Sequence, residues 1–171
     1  MAVFPMSSIS LQCGDCLELM NNISDKSVDC IVTDLPYQQT SRNKWDVIIP
    51  FEPLWEQYKR IAKDNAAIIL FANGMFTAEL MMSNKQMWRY NLIWEKTQPT
   101  GFLNAKKMPL RSHEDICIFY KKPPVYNPQK TTGHVRKVSK AEHKVGCKNT
   151  TDYGEHGLTT YDSTERYPRS V

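Results

Sequence analysis

Residues 28–37 read VDCIVTDLPY, and this stretch decides the fold. The first six residues form a short, mostly β-branched run bounded by polar positions, which predicts a buried β-strand over Val28–Thr33. Asp34 follows the run directly, and Pro36 then stiffens the turn that leads into Tyr37. At the carboxyl end of a strand in an α/β sheet, such residues overlook the crevice where ligands bind. The stretch therefore predicts both a strand and a candidate site at its end.

Working outward, two more short apolar runs predict strands, Ala67–Ala72 and Asp115–Tyr120. Ile9–Cys13 and Asn91–Glu95 give weaker strand patterns. The stronger runs are continuous rather than alternating in apolar character, which is typical of a sheet covered on both faces.

Helical patterns lie between the strands. Pro53–Asp64 carries apolar residues along one face and opens on a proline, a residue suited to a first helical position. Leu17–Met20 and Met75–Met82 are further candidates, and Glu56 and Arg60 have the spacing of an exposed ion pair. Because strands and helices alternate through the first 120 residues, we predict an α/β layered fold.

Charge divides the chain unevenly. The 171 residues suffice for one globular domain with a sizeable core. Residues 1–120 carry 12 basic and 13 acidic side chains, whereas residues 121–171 carry 10 and 5. A stiff Lys-Lys-Pro-Pro break at 121–124 separates the two parts. We predict an α/β domain over 1–120 and a basic extension over 121–171, which is either a solvated tail or a segment that lies along a polyanion such as DNA.

The composition also bears on location and metal binding. No run approaches 18 apolar residues, and the first residues lack the pattern of a secretory signal, so we expect a cytoplasmic protein that does not enter a membrane. The five cysteines are then expected to be reduced thiols. Cys13 and Cys16 form a C-x-x-C pair, but no second pair completes a zinc site, and we expect no metal.

The Asp-Leu-Pro-Tyr box at 34–37 resembles the Asp-Pro-Pro-Tyr signature of β-class amino-group DNA methyltransferases. Further blocks resemble the same family in order: LQCGDCLELM at 11–20, SDKSVD at 24–29, WD at 45–46, DNAAIILF at 64–71, WEK at 94–96, GFLNAKK at 101–107 and HE at 113–114. Over residues 9–130 the chain is similar to phage- and prophage-type site-specific adenine methyltransferases. The resemblance implies a partial Rossmann-like, S-adenosylmethionine-dependent methyltransferase fold that acts on double-stranded DNA.

The resemblance assigns the catalytic roles to Asp34, Leu35, Pro36 and Tyr37. An exocyclic amine is a poor nucleophile because its lone pair is delocalised into the ring. The Asp34 carboxylate and the Leu35 carbonyl would accept its two hydrogens and free that lone pair, while Pro36 restricts the direction of the carbonyl. Tyr37 would stack on the flipped base, and its ring face would favour transient positive charge. The family has proline where Leu35 stands, but the carbonyl survives this difference.

Two further features bear on the substrate. The chain has no Pro-Cys pair, which argues against methylation of a cytosine ring carbon through a covalent thiolate. The amine of cytosine is the nearest alternative to that of adenine, but enzymes of that group more often have serine where Asp34 stands. The resemblance therefore favours direct transfer of the methyl group to the amine of adenine.

Two acids are expected to contact S-adenosylmethionine. Asp15 matches a family position linked to the adenosyl half of the cofactor, although an N-cap role for the following helix is the alternative. Asp34 is the other. The family also has a Phe-x-Gly-x-Gly loop, and no two of the seven glycines here are separated by a single residue. The resemblance thus covers the half of the family's fold that carries the catalytic residues. It omits the C-terminal half, which carries the cofactor loop.

Three explanations remain open for this difference. The chain is one part of a split enzyme, a truncated prophage remnant, or a methyltransferase-like DNA-binding or assembly subunit without activity. Each predicts an incomplete sheet edge, which would have to be covered or paired. We therefore expect a homo-oligomer, or a partner chain that completes the sheet.

Basic residues are the candidates for DNA contacts. The loop 104–111 places Asn104, Lys106, Lys107 and Arg111 close together, which suits phosphate contacts and the reading of adenine edges, although a solvated loop is the alternative. The basic extension stands where this class carries target recognition. Its candidate side chains are His134, Arg136, Lys137, Lys140, Lys144 and Lys148.

Overall fold

The computed structural model describes residues 8–40, 43–139 and 160–171. The chain divides into two compact units, residues 1–125 together with Val171, and residues 126–170. The boundary after residue 120 between an α/β domain and a basic extension stays a prediction. In the described parts of the chain, no helix has the length and apolar character needed to cross a membrane.

The first unit contains a four-stranded mixed sheet. Its strands are β1 (Val28–Asp34), β2 (Ala62–Ala72), β3 (Trp88–Thr100) and β4 (Arg111–Phe119), in the order β1-β2-β4-β3. β1 runs parallel to β2, and the other two pairings are antiparallel. The α/β prediction is confirmed. β1 lies at the edge of this sheet, with one hydrogen-bonded neighbour among the described strands.

Three helices accompany the sheet, α1 (Cys16–Met20), α2 (Phe51–Ile61) and α3 (Met75–Ser83). α2 begins after Pro50, so Pro53 is its third residue rather than its first. Its missing N–H still costs nothing, because the first four N–H groups of a helix have no partner within it. The helix ends at Ile61, three residues before the predicted end, because Ala62 adopts an extended conformation and opens β2.

The predicted ion pair between Glu56 and Arg60 is wrong. Arg60 instead reaches across to Asp25, at 2.6 Å, and donates to the main-chain carbonyls of Met20 and Ile23, at 2.6 and 2.8 Å. A guanidinium carries five donors, so several acceptors from one neighbouring turn compete well with a single exposed carboxylate. Arg60 thereby ties α2 to the turn after α1.

The predicted strand at Ile9–Cys13 is also wrong. The segment has no regular structure, and Ile9 and Leu11 are 84% and 91% exposed. A strand is stabilised by its pairing with a neighbour, and this short run makes no such pairing in the described parts of the chain.

The core lies between the sheet and the helices. Its largest fully buried side chains are Leu54, Ile68, Leu70, Leu80, Cys117 and Phe119. Residues of β2 alternate between buried and half-buried from Ala66 to Ala72, so one face of the sheet is more completely covered than the other. The sequence predicts a sheet covered on both faces, and in β2 the residues of one face are buried while those of the other are half-buried. Trp55 on α2 packs against Phe119, with ring centroids 4.9 Å apart.

The second unit holds a short antiparallel pair of strands that no sequence pattern predicted. β5 (Lys137–Ser139) pairs in antiparallel fashion with β6 (Tyr161–Ser163). Arg166 forms a bridge with Thr131 and donates to the carbonyl oxygens of Val135 and Ser163. The contacts of Arg166 with Thr131 and Val135 join residues distant in sequence, which is why local patterns do not reveal them.

Candidate active site at the carboxyl end of β1

Asp34 is the last residue of β1 and pairs in register with Phe71 of β2. Its side chain is exposed, and its Oδ1 accepts a 2.5 Å hydrogen bond from the hydroxyl of Tyr37. Oδ2 of Asp34 accepts no hydrogen bond from any residue that the structure describes. The carboxylate is thus held by one oxygen and open at the other.

The turn after Asp34 is held in place by the buried side chain of Leu35. The Leu35 side chain is buried in the core, and Pro36 is half-buried. The residue before a proline is restricted to extended conformations, so both the side chain and the backbone of Leu35 have little freedom. Leucine in place of the family's proline adds core packing to the position without removing its carbonyl.

Tyr37 is fixed by aromatic packing. Its ring lies against Phe76 of α3, with centroids 5.1 Å apart, and Phe76 also packs on Phe51. Burial, followed by the hydrogen bond to Asp34, raises the pKa of the Tyr37 hydroxyl well above its ordinary value. The hydroxyl therefore stays protonated and donates to Asp34 throughout the neutral range.

The loop after Tyr37 is held by hydrogen bonds to the carboxylate of Asp46, a role that the sequence did not reveal. Asp46 is 7% exposed and accepts hydrogen bonds from the backbone N–H groups of Gln38 and Thr40, at 2.8 and 2.7 Å, and from the Thr40 hydroxyl, at 2.6 Å. These bonds, led by that of the Thr40 hydroxyl, hold the pKa of Asp46 below its ordinary value. The family resemblance had picked out Trp45-Asp46 but assigned it no role.

Gln39 connects this loop to the neighbouring strands. Its side-chain amide donates to the carbonyl of Asn73, just after β2, at 3.2 Å. Its side-chain oxygen accepts from Arg111, the first residue of β4, at 3.3 Å. No local pattern points to Gln39, because its partners lie 34 and 72 residues away.

Two concave surfaces meet at Asp34. The first, of about 470 Å³, is lined by residues 34–37, Gln39, Thr40, Trp45 and Asp46, and is called the outer groove below. The second, of about 510 Å³, runs along β1 and reaches Cys16, Met20 and Tyr58; it is called the strand groove. Both volumes fall in the range of small-molecule sites. Asp34, Leu35 and Pro36 line both grooves.

A largely buried ion pair joins β3 to β4. Lys96 of β3 pairs with Glu114 of β4, and both side chains are less than one-fifth exposed. Lys96 also lies 5.9 Å from the centre of the Trp94 ring, which packs edge-on against Phe71. Lys96 and Glu114 belong to the WEK and HE blocks of the family resemblance, and the structure brings them to the same region of the sheet.

Asp15 is the N-cap of α1. Its Oδ1 accepts a 2.8 Å hydrogen bond from the N–H of Leu17, which is the structural alternative considered above. The neighbouring Cys16 lines the strand groove, and burial raises its pKa. A contact of Asp15 with a cofactor stays a prediction. Within the described ranges, no group of three or more metal-ligating side chains is assembled.

The predicted DNA contacts fall into two groups. Asn104, Lys106 and Lys107 lie exposed on a short 3₁₀ turn (Phe102–Asn104) and the bend after it, while Arg111 reaches Gln39 at the outer groove. In the described ranges, no ion pair engages Lys106 or Lys107. These four residues remain candidates.

The second group belongs to the other unit. Arg136 makes two hydrogen bonds to the carboxylate of Asp162, at 2.7 and 2.6 Å, and Lys137 opens β5. His134 lies 2.6 Å from the Thr131 hydroxyl. Lys140, Lys144 and Lys148 lie outside the described residues. The roles of Arg136 and Lys137 toward DNA stay predictions.

Comparison with known proteins identifies a family that matches the chain and solved structures that share its fold. The model of the N6/N4 DNA methylase family matches residues 28–166. The type II methyltransferase M.HinfI of Haemophilus influenzae is 28% identical, in a match that covers 57% of this chain and 36% of that protein. The chain thus spans about one-third of the length of this relative.

Two solved structures share the fold. The M1.HpyAVI–SAM complex superimposes with a TM-score of 0.52 at 17% identity, covering 71% of this chain and 62% of that one. The PvuII DNA methyltransferase, described as cytosine-N4-specific, gives a TM-score of 0.51 at 10% identity, with coverages of 68% and 50%. At these identities the likeness supports the predicted partial Rossmann-like fold and nothing finer.

Proposed function

The chain belongs to the N6/N4 DNA methylase family, and from this we propose that the corner at Asp34–Tyr37 transfers a methyl group from S-adenosylmethionine to the exocyclic amine of a base in DNA. The observation that carries the proposal is the position of Asp34. It stands at the boundary of two grooves, with one carboxylate oxygen tied to Tyr37 and the other open.

The outer groove would receive the base. Reaction at an exocyclic amine requires the base to leave the helical stack, at a cost of about a few kcal/mol. The exposed Trp45 and the ring of Tyr37 offer aromatic surface in that groove, which would offset part of this cost. Oδ2 of Asp34 and the Leu35 carbonyl would then accept the two amine hydrogens and direct the nitrogen lone pair away from the ring.

The strand groove would receive part of the cofactor. S-adenosylmethionine supplies an electrophilic methyl group when bound. The groove is mostly apolar, with Met20, Ile31 and Tyr58 among its walls, and it carries the Asp34 carboxylate at one end, which suits an aromatic base and a sulfonium. Cys16 also lines this groove, directly after the N-cap residue Asp15. A Gly-x-Gly cradle for the methionine part is absent from residues 1–171.

The free edge of β1 supports a role for a second chain. Among the described strands, β1 has a hydrogen-bonded neighbour on one side alone, and Val32 near its middle is 62% exposed. Edge strands of this kind pair readily with another strand. We propose that a second copy or a partner chain pairs with β1 and completes the strand groove.

Adenine is the proposed base. The acid at position 34 supports it, because the cytosine-amine group of this family more often has serine there. A cytosine-N4 enzyme shares the fold, so the fold by itself carries no preference. The inactive DNA-binding subunit remains the second candidate function, favoured by the lack of a Gly-x-Gly pair in the chain.

The test is a titration followed by a transfer assay. The full chain is titrated with S-adenosylmethionine by calorimetry, then incubated with radiolabelled donor and unmethylated DNA whose cytosines or adenines are selectively replaced. Saturable binding and label on adenine support the proposal, and label on cytosine corrects the base. Asp34→Ala should abolish transfer and keep DNA binding. No binding of the donor at millimolar concentration would refute activity of the chain alone.

A further inference from the structure

A second cavity lies at the opposite end of the sheet. It has a volume of about 310 Å³ and is lined by the first residues of β2, the end of α2 and the segment after α3. Val28 pairs with Ala62 at this end, whereas Asp34 pairs with Phe71 at the other. Val28 and Asp34 are six residues apart along β1, so the cavity lies about 20 Å from the turn at Asp34.

The lining is strongly basic. Four lysines contribute to it, Lys26, Lys59, Lys63 and Lys121, against one carboxylate, Asp64. The Asp64 carboxylate already forms ion pairs with three lysines. The ammonium groups of Lys121, Lys122 and Lys26 lie 3.1, 3.4 and 3.6 Å from its oxygens. The cavity therefore retains an excess of positive charge.

Two hydrogen-bond donors there have no acceptor among the described residues. The side-chain nitrogen Nδ2 of Asn84, a residue only 7% exposed, is buried without a hydrogen-bond partner. The ammonium of Lys59 makes no ion pair within the described ranges, whereas its neighbour Lys63 is held by Asp29 at 2.6 Å. An unsatisfied buried amide is costly and rare in native structures, and both Asn84 and Lys59 line the cavity.

We propose that this cavity binds a small phosphate monoester. A phosphate group offers several strong acceptors and close to two negative charges, which match the unpartnered Asn84 amide and the lysine excess. Ala62 and Met87 supply apolar wall for the organic part of the molecule. The site is independent of the methyl-transfer proposal, because no residue of either groove at Asp34 lines it.

The probes are chosen to avoid the strand groove. The full chain is titrated by calorimetry with inorganic phosphate, ribose 5-phosphate and ribose at constant ionic strength. Both phosphates should bind saturably and ribose should not. Lys59→Gln should weaken ribose 5-phosphate binding about tenfold, the usual effect of losing one charge-assisted hydrogen bond. Lys85→Gln removes the same charge next to Asn84 but outside the lining, and should leave binding unchanged.

The variant Asn84→Leu distinguishes loss of phosphate binding from loss of folding. Leucine has the same branched shape and number of side-chain heavy atoms but no unpartnered amide, so the substitution should raise the melting temperature of the free protein and remove the stabilisation by phosphate. Equal loss of affinity in Lys59→Gln and Lys85→Gln would overturn the proposal in favour of general charge attraction. Displacement of ribose 5-phosphate by duplex DNA, with the same dependence on Lys59, would overturn it in favour of a nucleic-acid site. Unchanged binding in Asp34→Ala would confirm its independence from methyl transfer.

Discussion

The hydroxyl of Tyr37 donates a 2.5 Å hydrogen bond to Oδ1 of Asp34, within the same four-residue turn. Hydrogen bonds to a charged acceptor are among the stronger ones in proteins, so this bond fixes the carboxylate and leaves Oδ2 facing no other described partner. Tyr37 thus has two separable features, a hydroxyl that orients Asp34 and a ring that can stack on a base.

Tyr37→Phe separates these two features. We expect methyl transfer to fall about tenfold, because one hydrogen bond to a charged group is lost while the ring remains. Tyr37→Ala should lower the rate by about a further tenfold, since base–aromatic stacking is lost as well. Single-turnover rates with each variant measure the difference. A wild-type rate in Tyr37→Phe would contradict the orienting role of the hydroxyl, whereas equal rates for the two variants would contradict stacking by the ring.

Asp46 should make the stability depend on pH in acid. Its pKa is lowered in the folded protein, so its contribution is complete above the unfolded value of about 3.9 and is lost as the pH falls through the native pKa. Asp46→Asn keeps one acceptor and loses the charge. We expect its melting temperature to lie below that of the wild type at pH 6, with the gap closing below about pH 4.

Glu56→Gln is the matched control for Asp46→Asn, because Glu56 is exposed on α2 and makes no ion pair among the described residues. A gap for Asp46→Asn that persists unchanged from pH 6 to pH 3 would show that its carboxylate does not hold the loop at Gln38–Thr40.

Lys106 and Lys107 should contribute to DNA affinity through phosphates. Each phosphate contact lowers log K by about 0.9 per decade of salt concentration. Lys106→Gln combined with Lys107→Gln is therefore expected to flatten the salt dependence by about 2, measured by fluorescence anisotropy with a labelled duplex. Lys85→Gln, which removes a lysine elsewhere in the same unit, should leave the slope as it was.

The core should depend on Leu54, which is fully buried on α2. Leu54→Ala removes buried methyl groups and leaves a cavity, and such changes cost about 2–5 kcal/mol. Val47→Ala alters a side chain that is 60% exposed and should change the free energy of unfolding by less than about 0.5 kcal/mol. Urea unfolding followed by circular dichroism compares the two.

Sequence reasoning located the central strands because their signal is local. Val28–Thr33 and Ala67–Ala72 are short apolar runs, and both lie inside observed strands. The first part of β2 includes Lys63, Asp64 and Asn65, which no apolar pattern predicts. That part is extended because Ala62 pairs with Val28 and because its charged side chains form ion pairs, and both are tertiary effects.

In the candidate site, too, local features could be predicted from the sequence and long-range contacts could not. Residues 34–37 form a contiguous signature that resemblance could recognise. The groove walls depend on Asp46, which bonds to residues six and eight positions earlier, and on Gln39, whose partners lie just after β2 and at the start of β4. Such contacts arise only once the strands are arranged, so the geometry of the site could not be obtained from the sequence.

The free edge of β1 gives the last prediction. Val32 lies at its centre, and a charged residue on an edge strand opposes pairing with another strand. We expect the wild type to self-associate or to require a partner chain, and Val32→Lys to be monomeric, as measured by sedimentation velocity. Val47→Lys places the same charge at a similarly exposed valine outside the strands of the sheet, and should associate like the wild type. If both variants dissociate alike, the interface lies elsewhere. If the wild type is monomeric yet binds donor and transfers methyl groups, β1 does not need a second strand, and the strand groove is sufficient as it stands.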